Sequence, residues 1–260
     1  MDKKILKIYQ LHDGYCYNSD SLFLYDFARG FLKKSSYILE VGSGSGVVGL
    51  LCARDSGARL VMVERDEASA FLSALNAKNA KLGAVVICAD FLAYAKEYVS
   101  SEKFDCIISN PPFYRDGVLK SLNHRISQAR YEEFLPFEKL CMQAKRLLKP
   151  KGSFVFCYDA KEAHRVFYTL KKTGWSAEIA RFVYPRLDKE ASLLLCKARI
   201  NTKSSLKILP PLFTHNSPRQ TDNTPEVRAI YQRANTHSIK VFASDIKEAM
   251  CKAGTSLEKS

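Results

Sequence analysis

Tyr37-Ile38-Leu39-Glu40-Val41-Gly42-Ser43-Gly44-Ser45-Gly46 runs from an apolar, β-prone stretch straight into three alternate glycines, and Val47-Val48-Gly49-Leu50-Leu51 resumes behind it. A strand that empties into a glycine turn and then a helix opens a ligand-binding α/β unit. Glycine lets the backbone take positive φ and approach a ligand, and the helix N-terminus offers free N–H groups. The spacing G-x-G-x-x-G occurs here offset, at Gly44, Gly46 and Gly49. That match alone is a weak signal, so the flanking residues have to decide what the turn holds.

Outward from this turn, short apolar runs alternate with helical patterns. Tyr37–Val41, Arg59–Glu64, Ala84–Cys88, Phe104–Ser109 and Ser153–Tyr158 read as strands buried on both faces. Between them Val47–Asp55, Glu67–Lys81, Leu92–Ser100, Phe134–Leu148 and Lys161–Lys172 read as helices. Strict alternation implies a doubly wound parallel sheet with right-handed crossovers. Ala177–Tyr184 and Ala191–Lys197 are separated only by Pro185–Glu190, too short for a helical crossover, so they form an antiparallel hairpin. The expected fold is α/β and Rossmann-like: a mostly parallel, seven-stranded sheet with a terminal antiparallel hairpin and helices on both faces. The hairpin is what separates the class I methyltransferase variant of this sheet from a nucleotide-binding dehydrogenase. Ser21–Phe31 reads as an amphipathic helix ahead of the first strand. Residues 200–224 have loop composition, with Pro210, Pro211, Pro218, Asn216 and Asn223, before helical character returns at Glu226–Arg233 and Val241–Lys252. The division expected is a capping segment at 1–36, a catalytic domain at 37–200 and a C-terminal loop and helical appendage at 201–260.

The 260 residues carry a formal net charge of +13, and 47% of them are hydrophobic. This is the composition of a globular chain, and the excess of base points to a polyanionic partner. The eight cysteines include no C-x-x-C pair and most lie in apolar runs. They read as buried thiols in a reducing compartment, and no metal site is expected. The basic start Met1–Lys7 has no apolar segment behind it, and no stretch approaches the length of a membrane span. The expectation is a soluble, cytoplasmic protein, with a monomer favoured.

Two acids separate the readings of the glycine turn. Glu40 stands immediately before the glycines, where a dinucleotide phosphate would be repelled and a ligand bearing an ammonium and a sulfonium would be favoured. Glu64 ends the second strand, 20 residues after Gly44, placed to accept both ribose hydroxyls. Asp90, after the third strand, is placed to accept from an adenine amine, with Phe91 packing on the ring; as plain structure, Asp90 is a helix N-cap. Glu40, Gly42, Gly44, Gly46, Glu64, Asp90 and Phe91 together fit S-adenosyl-L-methionine.

The fourth strand delivers Asn110-Pro111-Pro112-Phe113-Tyr114 at its carboxyl end, where ligands bind in open α/β sheets. Two prolines fix φ and remove two N–H donors, so the loop presents acceptors in rigid form. An exocyclic amine is a poor nucleophile because its lone pair is delocalised. The Asn110 side-chain oxygen and the Pro111 carbonyl can each accept one N–H, biasing the nitrogen toward sp³ geometry, and Pro112 stiffens the loop. Phe113 or Tyr114 offers a stacking face.

Glu40–Gly46 with Asn110–Phe113 resembles the amino-methyltransferases that carry an Asn-Pro-Pro-aromatic motif. These act on exocyclic amines of bases or on a glutamine side chain. Four more stretches resemble one branch, the bacterial tRNA (adenine-N(6))-methyltransferases acting beside the anticodon of valine tRNA. They are Gly14–Leu22 with Leu24–Ala28, Ser127–Glu132, the long connection Arg115–Arg130, and Thr224–Tyr231. The resemblance covers roughly residues 10–231, and only the cofactor and Asn-Pro-Pro motifs are sharp. It implies a capping segment contributing Tyr17, Ser19 and Asp20 to the cofactor, with Arg65 beside Glu64, and Asn110 touching cofactor as well as substrate. It implies a tRNA partner, met by Phe113, Tyr114, Arg115, Lys120, Arg125 and Arg130 as stacking face and phosphate track. The family often has Tyr where this chain has Phe113, which keeps the stacking face and leaves base identity open. Lys145, Arg146, Lys149 and Lys151 fit a helix-dipole role at least as well as an RNA one. The alternatives are a protein glutamine N-methyltransferase of the release-factor type, a methyltransferase of another RNA base, and a non-catalytic RNA-binding module. The first should carry an N-terminal helical bundle, and only 36 residues precede the first strand. The intact Glu40, Glu64, Asp90 and Asn110 speak against the last.

Overall fold

The computed structural model describes residues 5–14, 16–113 and 131–246. The glycine turn sits between β2 (Tyr37–Val41) and α2 (Val47–Ser56), at the centre of a sheet whose strands alternate with helices. β3 (Arg59–Glu64), α3 (Glu67–Ala80), β4 (Ala84–Cys88), α4 (Phe91–Glu97) and β5 (Phe104–Ser109) follow. After the reactive segment come α5 (Phe137–Leu147), β6 (Leu148–Asp159), α6 (Ala163–Lys172), β7 (Trp175–Tyr184) and β8 (Leu193–Ile200). These seven strands lie in the order β7-β8-β6-β5-β2-β3-β4, with β8 antiparallel to both neighbours and the other pairs parallel. The sheet is the mostly parallel one expected, closed by its antiparallel hairpin. Two two-residue strands, β9 (Lys207–Ile208) and β10 (Leu212–Phe213), extend it beyond β7. They bring it to nine strands among the described residues.

Burial on both faces explains the apolar runs. Ile38, Leu60, Met62, Ile108, Val155 and Cys157 point to one core, shared with α1 (Ser19–Arg29) and α2. Leu39, Val61, Val63, Ile107, Phe156 and Tyr158 point to the other, shared with α4, α5 and α6. Alternate side chains of one strand go to opposite faces, so each run feeds two cores. Trp175 is core as expected, 3% exposed, with its indole N–H donating to the Cys141 carbonyl at 3.1 Å. Cys52, Cys106, Cys141, Cys157 and Cys196 are buried free thiols. Lys149 pairs with Asp105 at 2.9 Å, and Arg146 donates to Gln143. Both side chains thus have partners within the chain.

The flanks return to one another. β1 (Leu6–Leu11) pairs in parallel with β11 (Thr236–Val241), forming a separate two-stranded sheet. α7 (Pro225–Ala234) leads into β11, capped by the Thr224 hydroxyl on the Val227 N–H and started by Pro225. It buries Val227, Ile230 and Ala234 in the core that α1 and α2 share. Where a helix was expected from Val241, the strand runs to Val241 and helical backbone occupies 243–246. The remainder of that segment lies outside the described residues. No helix among the described residues is long and apolar enough to cross a membrane.

Candidate active site

The glycine turn closes on itself. Gly42 and Ser43 donate their N–H groups to the Val63 carbonyl at 2.9 and 3.3 Å, and Gly46 donates to Ser43 O at 2.8 Å. Gly44 N–H goes to Glu64 Oε2 at 2.8 Å. These donors are therefore spent on the protein rather than offered to a phosphate. Gly42 and Gly44 hold φ of +67° and +56°, and a Cβ added to either would meet no atom within 4 Å. They face open space, as a cradle for a ligand does. α3 supports the turn from beneath: Ser73 Oγ donates to Gly44 O at 2.8 Å. Asn76, fully buried, donates through Nδ2 to Ser45 O and to Tyr9 O, both at 2.9 Å, and accepts the Tyr9 N–H at 2.8 Å. One side chain thus ties β1 to the glycine turn.

The acids sit where the strand ends put them. Glu40 is 4% exposed, and its Oε2 accepts the Gly49 N–H at 3.0 Å. Burial pushes its carboxyl up to about 8, the nearby Glu64 adds to this, and the Gly49 bond opposes it. Gly49 has to be glycine for space, because a Cβ there would collide with the Glu40 carboxylate. Glu64 is likewise raised by burial, against the Gly44 and Asp66 N–H bonds that favour its charge. Backbone N–H groups of Gly44, Arg65 and Asp66 all bond this carboxylate, which fixes its orientation at the mouth of the turn. Asp90 caps α4, its Oδ1 accepting from Leu92 at 2.9 Å and Ala93 at 3.1 Å. The structural role of Asp90 is therefore real, and the cap occupies only one of its oxygens.

At the end of β5, Ser109 Oγ donates to Val41 O at 3.0 Å, locking the reactive strand to the glycine strand. Asn110, Pro111 and Pro112 line the same cleft as Glu40, Gly42, Gly44 and Glu64. Asn110 Oδ1 accepts from the Cys157 thiol at 3.0 Å. Phe113 leans on Tyr158, with ring centroids 5.7 Å apart. It is not among the residues that line the cleft.

Of the other expected residues, Tyr17, Arg65, Asp90 and Phe91 line the cleft, while Gly46, Ser19 and Asp20 do not. Gly46 has φ +78° and abuts Met62 and Ser73, so it shapes the turn from behind. Asp20 lies one residue before Ser21, which does line the cleft, and burial raises its carboxyl despite bonds from Asn18 and Ser19. The Arg65 guanidinium lies over the Phe134 ring at 5.3 Å. Tyr114, Arg115, Lys120, Arg125 and Arg130 lie outside the described residues. Leu11, Gly14, Asp66, Ser69, Phe134 and Leu135 also border the cleft, and sequence reading did not single them out. Asp66 carried a signal, since an Asp three residues before Ser69 opens α3 as its N-cap. Among the described residues the charged lining is Glu40, Glu64, Asp66 and Asp90 against Arg65 alone. That balance favours a cationic ligand over a pyrophosphate, and together with the open glycine cradle it fits S-adenosylmethionine.

Comparison with known proteins agrees with this geometry. A sequence model of the methyltransferase small domain family matches residues 21–173. A tRNA1(Val) (adenine(37)-N6)-methyltransferase of Dickeya chrysanthemi is 30% identical over 182 residues, spanning 68% of this chain and 71% of that protein. The protein of the same name from Dyadobacter fermentans is 27% identical over 186 residues, 71% of this chain and 76% of its own. Among solved structures, a predicted O-methyltransferase from Agrobacterium tumefaciens superposes with a TM-score of 0.64 at 18% identity. It covers 85% of this chain and 100% of that one, a likeness of fold.

Proposed function

Because this chain belongs to the methyltransferase small domain family, and within it to the tRNA1(Val) (adenine(37)-N6)-methyltransferases, we propose that it methylates the exocyclic N6 amine of an adenine in the anticodon loop of a valine tRNA, with S-adenosylmethionine as donor. The observation that carries this reading is the convergence of an acid-lined glycine turn and the acceptor loop Asn110-Pro111-Pro112 on one cleft. Glu40 is the group to meet the ammonium end of the donor, Glu64 its ribose hydroxyls and Asp90 its adenine amine, with Gly42 and Gly44 giving it room. Tyr17 borders it from the N-terminal side, with Ser19 and Asp20 just beyond the lining of the cleft. When bound, S-adenosylmethionine supplies an electrophilic methyl group on a sulfonium.

The chain's own part is to make a poor nucleophile competent. Asn110 Oδ1 and the Pro111 carbonyl take one N–H each from the amine, drawing its lone pair out of conjugation and aiming it into the cleft. Neither acceptor is a base, so the proton the nitrogen sheds after transfer leaves to solvent. Phe113 and Tyr114 stack the base, and Arg115, Lys120, Arg125 and Arg130 track the backbone phosphates. A loop base needs no extraction from a helix, which lowers the cost of presenting it. In this reading residues 1–36 cap the donor, 37–200 catalyse, and 201–260 form an appendage whose α7 and β11 fold back on the first segment.

The test is methyl transfer from labelled S-adenosylmethionine to separated tRNA, ribosomal RNA and protein fractions from a strain lacking this protein. Label is expected as N6-methyladenosine in tRNA. Label in protein alone, or in ribosomal RNA alone, would overturn the substrate assignment.

A further inference from the structure

β6 pairs with β5 so that Phe156 stands opposite Ser109, which places the next two residues, Cys157 and Tyr158, beside the start of the reactive loop. Being consecutive in a strand, they face opposite cores. Each touches a different end of Asn110-Pro111-Pro112-Phe113. Cys157, fully buried, donates its S–H to Asn110 Oδ1 at 3.0 Å. Tyr158, also fully buried, supports Phe113 ring against ring at 5.7 Å. The Tyr158 hydroxyl is in turn fixed by Arg165 Nη2 at 2.9 Å, and Arg165 also donates to Glu132 and Glu162, both at 2.7 Å.

We propose that Cys157 and Tyr158 are the positioning residues of the methyl-transfer loop, Cys157 by fixing which way round the Asn110 carboxamide stands and Tyr158 by holding Phe113 in place. The inference rests on the methyl-transfer reading above. A carboxamide has an oxygen and an NH2 of nearly the same size and opposite hydrogen-bonding sense. If Asn110 turned over, it would present donors to an amine that needs an acceptor. Its oxygen has two lone pairs: one takes the Cys157 proton, and the other is left for the substrate N–H. Burial, with the negative charge of Asp20 nearby, keeps the thiol protonated and therefore a donor. Serine can supply the same donor; alanine cannot.

Cys157→Ala and Cys157→Ser discriminate between this role and mere packing. With tRNA as acceptor, C157A is expected to lower the single-turnover rate about five- to tenfold, the value of one lost hydrogen bond, with the donor's dissociation constant held within about twofold. C157S is expected to restore most of the rate. Tyr158→Phe keeps the ring and removes the Arg165 tether, so KM for tRNA should rise about two- to threefold with little change in kcat. An activity-independent readout is the Asn110 carboxamide NH2 pair in 15N NMR, assigned by its loss in Asn110→Ala. It should shift in C157A and return in C157S. Wild-type rate in C157A, equal loss in both cysteine variants, or an unmoved carboxamide overturns the role of Cys157. An unchanged KM in Y158F overturns that of Tyr158. A wild-type enzyme that methylates no tRNA would instead sink the functional reading, and the carboxamide shift would still decide the positioning role of Cys157.

Discussion

Glu40 and Glu64 end neighbouring strands beneath one turn, and burial raises both carboxyls, Glu40 the further. Burial lifts Glu40 to about 8. A carboxyl raised in the folded state contributes stability that is fully present below its ordinary range and is lost as pH rises through the folded value. The ligand-free protein should therefore lose stability between about pH 5 and pH 8. Glu40→Gln, which keeps an acceptor for the Gly49 N–H, should flatten that decline in thermal melts across the window; an unaltered slope would place the titration elsewhere. A cationic ligand acts in the opposite sense, favouring the ionised carboxyl. Donor binding near neutral pH should then release a proton, visible in calorimetry as a heat that changes with buffer ionisation, and E40Q should abolish that dependence. Gly49 is linked to the same group. Alanine is ordinarily the better helix former, by roughly 0.5–1 kcal/mol. Here its Cβ would collide with the Glu40 carboxylate and come within 2.9 Å of Leu60 Cδ1. Gly49→Ala should lower stability by about 1–3 kcal/mol in denaturant melts instead of raising it.

Helix α4 begins at a residue with two duties, and substitution can separate them. Asp90 caps Leu92 and Ala93 through one oxygen and lines the cleft. Asp90→Ala should cost about 1 kcal/mol through the lost cap and also weaken the donor. Asp90→Asn retains an oxygen for the cap but turns NH2 toward an amine, so its melting temperature should stay near wild type while donor affinity falls. Wild-type affinity in D90N would leave Asp90 a cap alone. Elements of this kind were legible because their signals are local: an Asp before a helix, a glycine turn, two prolines after an apolar run. The central strands were legible because burial on both faces makes them uniformly apolar. β1 and β11 were not. Their residues read as no strand in isolation, because each exists only by pairing with the other across more than two hundred residues. β6 ran longer than expected, reaching back through Pro150 and Gly152 to Leu148, where its pairing with β5 shifts register. Asn76 and Cys157 were equally silent. A buried Asn within a helix and a Cys in an apolar run look like filler until the partners that the fold brings to them are known.

Across the whole molecule, the N-terminal segment makes one wall of the cleft, the C-terminal strand β11 backs that wall, and Arg54 helps to fasten the pair. Leu11, Gly14 and Tyr17 line the cleft from the segment that begins with β1. β1 is held by β11, and β11 follows α7. Arg54, on α2, donates to the carbonyls of Ala234 at 2.7 Å and Arg233 at 2.9 Å, pinning the end of α7. Arg233 in turn pairs with Asp26 on α1, and Tyr17 reaches Thr236 through its hydroxyl at 3.1 Å. Carbonyls at a helix end have no partners within the helix, so removing the arginine leaves them and the adjoining strand poorly held. Arg54→Met keeps most of the side chain's packing volume and removes the guanidinium that donates to both carbonyls. In hydrogen exchange this variant should open residues 6–11 and 236–241 together, at rates well above wild type, while amides of β2, β3 and β5 keep their protection. Donor affinity should fall, since the wall that carries Leu11 and Tyr17 loosens. In the wild type, saturating donor should slow exchange in both end strands at once, because a ligand that binds only the closed wall stabilises everything holding it closed. Protection confined to the glycine turn, with the end strands exchanging as before, would show that the wall stands apart from the site, and the capping role of residues 1–36 would have to be given up.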